Sequence, residues 1–120
     1  MKFILLIGTG SFFGGICRYL LSMVIIGNKN SFPLNTLTVN VLGCFLIGIV
    51  FGFAGKFNFS NETKLFLTTG FLGGFTTFSA FSNETFLLLK NGQIAFAVFY
   101  ILLSVFVGLL ATYTGYFITK

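Results

Sequence analysis

The sequence predicts an all-α membrane protein with four transmembrane helices, the third of them broken near its middle. Three observations lead there. The chain of 120 residues is 56% hydrophobic and only 8% charged, without His or Trp, whereas a soluble domain carries roughly 25% charged residues. Four apolar windows, Phe3–Ile26, Phe32–Gly55, Leu65–Leu89 and Ile94–Thr119, each run 24 to 26 residues, more than the ~20 that cross a hydrocarbon core as a helix. The third window holds GFLGGFTTFSAFSNET, Gly70–Thr85, whose glycines, hydroxyls, Asn83 and Glu84 suit lipid poorly.

The first window opens MKFILLIGTGSFFGG, which imitates a signal peptide. The apolar pattern continues past Arg18 and no small-x-small cleavage site stands out, so it is taken as a span. The second window has no charge and carries Asn40 near its middle, an amide able to donate two hydrogen bonds. The third holds Glu84. The fourth is free of charge, with Tyr100 and Ser104 one turn apart. The links Gly27–Ser31, Lys56–Lys64 and Lys90–Gln93 are too short for a soluble domain. Residues 1–120 therefore form a single four-helix unit with both termini on one side. Cys17 and Cys44 lie inside spans without CxxC spacing and are assigned to helix packing.

The net charge of +5 comes with no basic cluster, so no nucleic-acid partner is expected. Lys2, Lys56, Lys64 and Lys120 fall on the side of the termini, and Lys29 and Lys90 on the other, with Arg18 in the half of its span nearest them. An imbalance this weak permits insertion in both orientations. A single orientation with the termini inside is the ordinary alternative, and charge counting leaves both open.

Gly costs about 1 kcal/mol in a helix interior, and Gly73 and Gly74 put that cost at one place. The window centre is near Thr77, so the weak point lies close to the bilayer midplane. Backbone groups freed there must be buried in protein or given a ligand, and unwound carbonyls at that depth suit a hard cation such as Na⁺. Close helix packing is the competing explanation. Gly10/Gly14, Gly48/Gly52 and Gly70/Gly74 are GxxxG pairs. It is preferred for Gly70, while Gly73–Gly74 beside Thr76–Thr77 is divided evenly between packing and a functional break.

Past the weak point, Phe75, Phe78 and Phe81 recur every third residue, as do Thr76, Ser79 and Ser82, placing each set on one helix face. With 19 Phe in 120 residues, chance alone gives about three such Phe pairs, so lipid-facing Phe is the default. The hydroxyl stripe is harder to dismiss, since lipid offers it nothing. Arg18 and Glu84 lie toward the same side of their spans, which allows an ion pair between them. Ionisable groups at such depth are functional candidates, and structural pairing explains these two equally well.

Three segments carry a family resemblance. Gly14-Gly15-Ile16-Cys17-Arg18-Tyr19 resembles the GGxxRY element of the Fluc (CrcB-type) fluoride channels. Thr36-Leu37-Thr38-Val39-Asn40-Val41-Leu42-Gly43 is similar to that family's TLxxNxxG, and Gly70–Ser82 to its third-helix GFxGGxTTFSxF signature. The last is highly specific and the first is loose; order, spacing and length agree throughout. The resemblance implies an antiparallel dual-topology homodimer in the cytoplasmic membrane that conducts fluoride passively, with a structural Na⁺ at its centre. It implies backbone oxygens of Gly73 and Thr76 as the Na⁺ ligands. Phe78 and Phe81 would line the pore, Asn40 would be its amide, and Thr77, Ser79, Ser82 and Ser104 would belong to a hydroxyl track. Arg18 matches the family's first-helix arginine, a structural or vestibule residue like Glu84.

Two other functions are weaker. A small dual-topology multidrug exporter needs a membrane carboxylate, typically in the first helix, and that span holds Arg18 and no acid. A structural assembly module accounts for the GxxxG pairs but leaves the hydroxyl stripe unexplained. An enzyme is disfavoured, since two acids and no His build no nucleophile–base constellation.

Overall fold

The computed structural model describes residues 1–25 and 32–120. The expected link Gly27–Ser31, Lys29 within it, and Ile26 at the end of the first window lie outside the described residues. Among those described, every regular element is helical: α1 (Lys2–Val24), α2 (Leu34–Phe57), α3 (Asn61–Leu65), a π-helical segment (Phe66–Leu72), α4 (Gly73–Phe75), α5 (Phe78–Lys90) and α6 (Ile94–Thr119). Four runs, Lys2–Val24, Leu34–Phe57, Asn61–Lys90 and Ile94–Thr119, are long and apolar enough to cross a membrane. Phe and Leu side chains stay exposed along them, as lipid-facing surface requires.

Local chemistry sets the boundaries. The third run starts at Asn61 rather than Leu65, because Ser60 caps it by accepting the Thr63 N–H at 3.2 Å. Asn58 ends α2 in the left-handed region at φ 53°, and its N–H returns to the Ala54 carbonyl. Gly92, at φ 76°, makes the turn between α5 and α6.

The helices pack as two pairs, α2 along α6 and α1 against the π-helical segment and α4. Small residues permit both. A Cβ on Gly14 would collide with the Phe71 carbonyl, and one on Gly48 with the Thr112 carbonyl, so these GxxxG pairs bring backbones together. Thr112 Oγ1 then donates to the Cys44 carbonyl at 2.9 Å, and Thr119 Oγ1 to that of Ile49 at 3.2 Å. Such bonds add to van der Waals contact where lipid supplies no hydrophobic drive. Cys17 joins the packing around Val39, Leu72 and Phe75.

The third run departs from the sequence expectation in its details. Gly73 and Gly74 are helical, with Gly73 at φ −62°, ψ −37°. The extended residues come after them: Thr76 at φ −88°, ψ 159° and Thr77 at φ −148°, ψ 121°. Two extended residues reset the helical phase, so three-residue spacing across the step no longer places side chains on one face. Phe75 is accordingly buried and stacked on Phe71, with centroids 6.0 Å apart, whereas Phe78 is 79% exposed. Thr76 likewise does not share a face with Ser79 and Ser82. What remains of each stripe lies within α5: Phe78 with Phe81, and Ser79 with Ser82.

Candidate functional site

The step at Thr76–Thr77 is held from three sides. From α2, Asn40 clasps the Thr77 backbone: its Nδ2 donates to the Thr77 carbonyl at 3.0 Å and its Oδ1 accepts the Thr77 N–H at 2.9 Å. From the step itself, Thr77 Oγ1 caps α5 by accepting the Ala80 N–H at 3.1 Å. From α1, Arg18 Nε donates to the Gly74 carbonyl at 3.3 Å and Ser11 Oγ to that of Gly70 at 3.2 Å. Thr76 completes the set locally, its N–H and Oγ1 both donating to the Leu72 carbonyl. These bonds answer the requirement that irregular backbone at membrane depth be satisfied by protein.

A cavity of about 420 Å³ opens beside the step. Asn40, Gly73, Thr76, Thr77, Phe78, Phe81 and Ser104 all line it, together with Cys44, which the sequence assigned to helix packing, and Thr68, which sequence reasoning did not single out. Ser104 Oγ is buried there without a hydrogen-bond partner among the described residues. Phe78 and Phe81 stand with centroids 5.6 Å apart and planes at 39°, and Phe81 lies 5.1 Å from the Tyr100 ring. The structure thus brings seven sequence-selected residues to one place. It leaves Arg18, Ser79, Ser82 and Glu84 off the lining. Ser79 is exposed and hydrogen-bonded to the Thr77 hydroxyl at 3.1 Å, while Ser82 is simply exposed.

The ion pair allowed between Arg18 and Glu84 does not form. Arg18 is engaged with the Gly74 carbonyl, and the Glu84 carboxylate accepts Thr36 Oγ1 at 2.7 Å and Tyr100 OH at 2.9 Å. Among the described residues the salt bridge found is Lys2–Glu62 at 3.3 Å, on the surface. Neutral hydroxyl donors therefore satisfy this half-buried acid. Thr36 was not selected from the sequence, although it stands one helical turn before Asn40 and so shares its face.

The arrangement gathers two Phe rings, one hydroxyl without a partner among the described residues and an amide beside a backbone step that leaves helical geometry. It offers no nucleophile activated by a base.

A family model described as CrcB-like protein, Camphor Resistance (CrcB), matches residues 5–116. A protein of Flavobacterium psychrophilum named fluoride-specific ion channel FluC is 50% identical, across 100% of this chain and 98% of its own length. Proteins of that name in Azobacteroides pseudotrichonymphae and Chlorobium phaeobacteroides are each 43% identical, over 100% and 97% of this chain and 98% and 91% of their own lengths. Similarity of this extent, over all four helices and the step between them, places the chain in a family: it is a member of the CrcB family.

Proposed function

We propose that this chain is a passive fluoride-selective channel that lets F⁻ leave the cell across the cytoplasmic membrane. In this reading it works as an antiparallel dual-topology homodimer of multi-pass subunits, with the broken third helix as its functional centre. Membership of a family whose relatives bear the name fluoride-specific ion channel supports the substrate. The observation that carries the mechanism is the Asn40-clasped step beside a cavity walled by Phe78, Phe81 and Ser104.

The chemistry suits a small anion that must enter and also leave. A ring edge is electropositive, so the Phe pair faces F⁻ without holding it by a conventional hydrogen bond. Asn40 spends one amide hydrogen on Thr77 and keeps a second. That hydrogen and the free Ser104 hydroxyl replace water shed by the ion. Thr77 carries the polar path along the lining, Ser79 and Ser82 extend it outside the cavity, and Arg18 supports the step through the Gly74 carbonyl. A negative interior drives F⁻ outward by ~2.3 kcal/mol per 100 mV, so no metabolic energy source is needed.

The Gly73 and Thr76 carbonyls are the proposed ligands of a structural Na⁺. The donor set fits: these are neutral backbone oxygens, as an alkali cation prefers, and they flank the step where helical bonding lapses. Two oxygens from one chain are too few to replace a hydration shell, and a second, inverted copy supplies two more. When bound, the ion ties two breaks together by charge.

Purified protein in liposomes should release fluoride passively and discriminate strongly against chloride. Equal leakage of both anions would end the channel reading.

A further inference from the structure

We infer that the Asn40 amide and the Thr77 hydroxyl are positioning residues for the cation, since they take up the backbone donors that a continuous helix would spend on the Gly73 and Thr76 carbonyls. The inference rests on the Na⁺ site proposed above and assigns what makes it.

In an α-helix each N–H bonds the carbonyl four residues back. The donor owed to Gly73 is therefore the Thr77 N–H, and that owed to Thr76 is the Ala80 N–H. Both are diverted. The Thr77 N–H goes to Asn40 Oδ1 at 2.9 Å, and the Ala80 N–H goes to Thr77 Oγ1 at 3.1 Å. Between the two released carbonyls, that of Gly74 is taken by Arg18 Nε. The donors captured by side chains are thus those owed to the two residues proposed as ligands.

The clasp also resists reversal. Asn40 bonds both the N–H and the carbonyl of Thr77, as a neighbouring strand would, and holds that residue at φ −148°, ψ 121°. Returning Thr77 to helical geometry would break both bonds at once. That return would leave the Asn40 amide without partners at membrane depth, which is costly, so the step stays open before any ion arrives. Asn40 thereby acquires a second duty on α2, distinct from facing an anion with its remaining amide hydrogen.

The test follows dimer assembly rather than conduction, with no fluoride present. Purified wild type, Thr77→Val, Thr77→Ser and Asn40→Leu are titrated with Na⁺ against N-methyl-D-glucamine in detergent, and the dimer fraction is read by size-exclusion light scattering. Each of two copies loses one neutral hydrogen bond in Thr77→Val, so the half-saturating Na⁺ should rise about tenfold. Thr77→Ser, which keeps the hydroxyl, should stay within about twofold of wild type. Asn40→Leu should rise at least as far as Thr77→Val. A wild-type midpoint in Thr77→Val or in Asn40→Leu overturns the inference, most clearly if fluoride flux falls while the midpoint holds, for the residues would then serve the anion alone. A wild-type dimer indifferent to Na⁺ instead overturns the cation site itself, before any variant is compared.

Discussion

Tyr100→Phe isolates one interaction with little else disturbed. Tyr100 is fully buried, its ring set edge-on to Phe32 at 5.4 Å and tilted against Phe81 at 5.1 Å. Phenylalanine keeps those contacts and removes only the hydroxyl that donates to Glu84 Oε2 at 2.9 Å. A hydrogen bond to a charged group is worth ~1.5–3 kcal/mol in water-soluble proteins. Within a bilayer the unfolded helices find other partners, and measured values fall to ~0.6–1.7 kcal/mol. The two ranges meet near ~1.5 kcal/mol, about a tenfold change in the unfolding constant. Unfolding of the purified protein by SDS in mixed micelles, followed by circular dichroism, measures it. In a Glu84→Gln background the acceptor is neutral and the same change should cost only ~0.5 kcal/mol. Equal costs in both backgrounds, or no cost in either, would refute the assignment of the Tyr100 hydroxyl to the Glu84 carboxylate.

Three further outcomes are expected. Phe81→Ile should lower fluoride flux in liposomes while the dimer still assembles, and undiminished flux would remove the aromatic wall from the mechanism. Gly14→Ala forces a methyl group onto the Phe71 carbonyl and should destabilise by ~1–3 kcal/mol, whereas Gly15→Ala, with open space at its Cβ, should stay within ~0.5 kcal/mol of wild type; the same SDS titration compares them. Cysteine or reporter tagging of the termini in cells should find them on both faces of the membrane, and a single orientation would exclude dual topology for this chain.

Much of the architecture was legible from apolar runs alone, because a bilayer imposes length and composition on any helix that crosses it. The window Ile94–Thr119 coincides with α6, and Phe32–Gly55 lies within two residues of α2. Glycine spacing also announced the close packing at Gly14 and Gly48, since only a missing side chain admits a neighbouring backbone. The motif residues Asn40, Gly73, Thr77 and Phe81, and Ser104 outside the motifs, were named from the sequence resemblance, and the structure sets them round one cavity.

Other features depend on which helices meet, and periodicity within one helix cannot report that. Arg18 finds a carbonyl 56 residues away rather than Glu84, and Glu84 takes hydroxyls from α2 and α6. The phase reset at Thr76–Thr77 separated Phe75 and Thr76 from the rest of their three-residue stripes. Its position, after the glycines rather than at them, is tied to the side chain of Asn40, 37 residues earlier. Local propensity marked where the third helix is weak. Where the chain actually becomes extended was decided by the place at which α2 could supply a donor and an acceptor to the same residue, because lipid supplies neither.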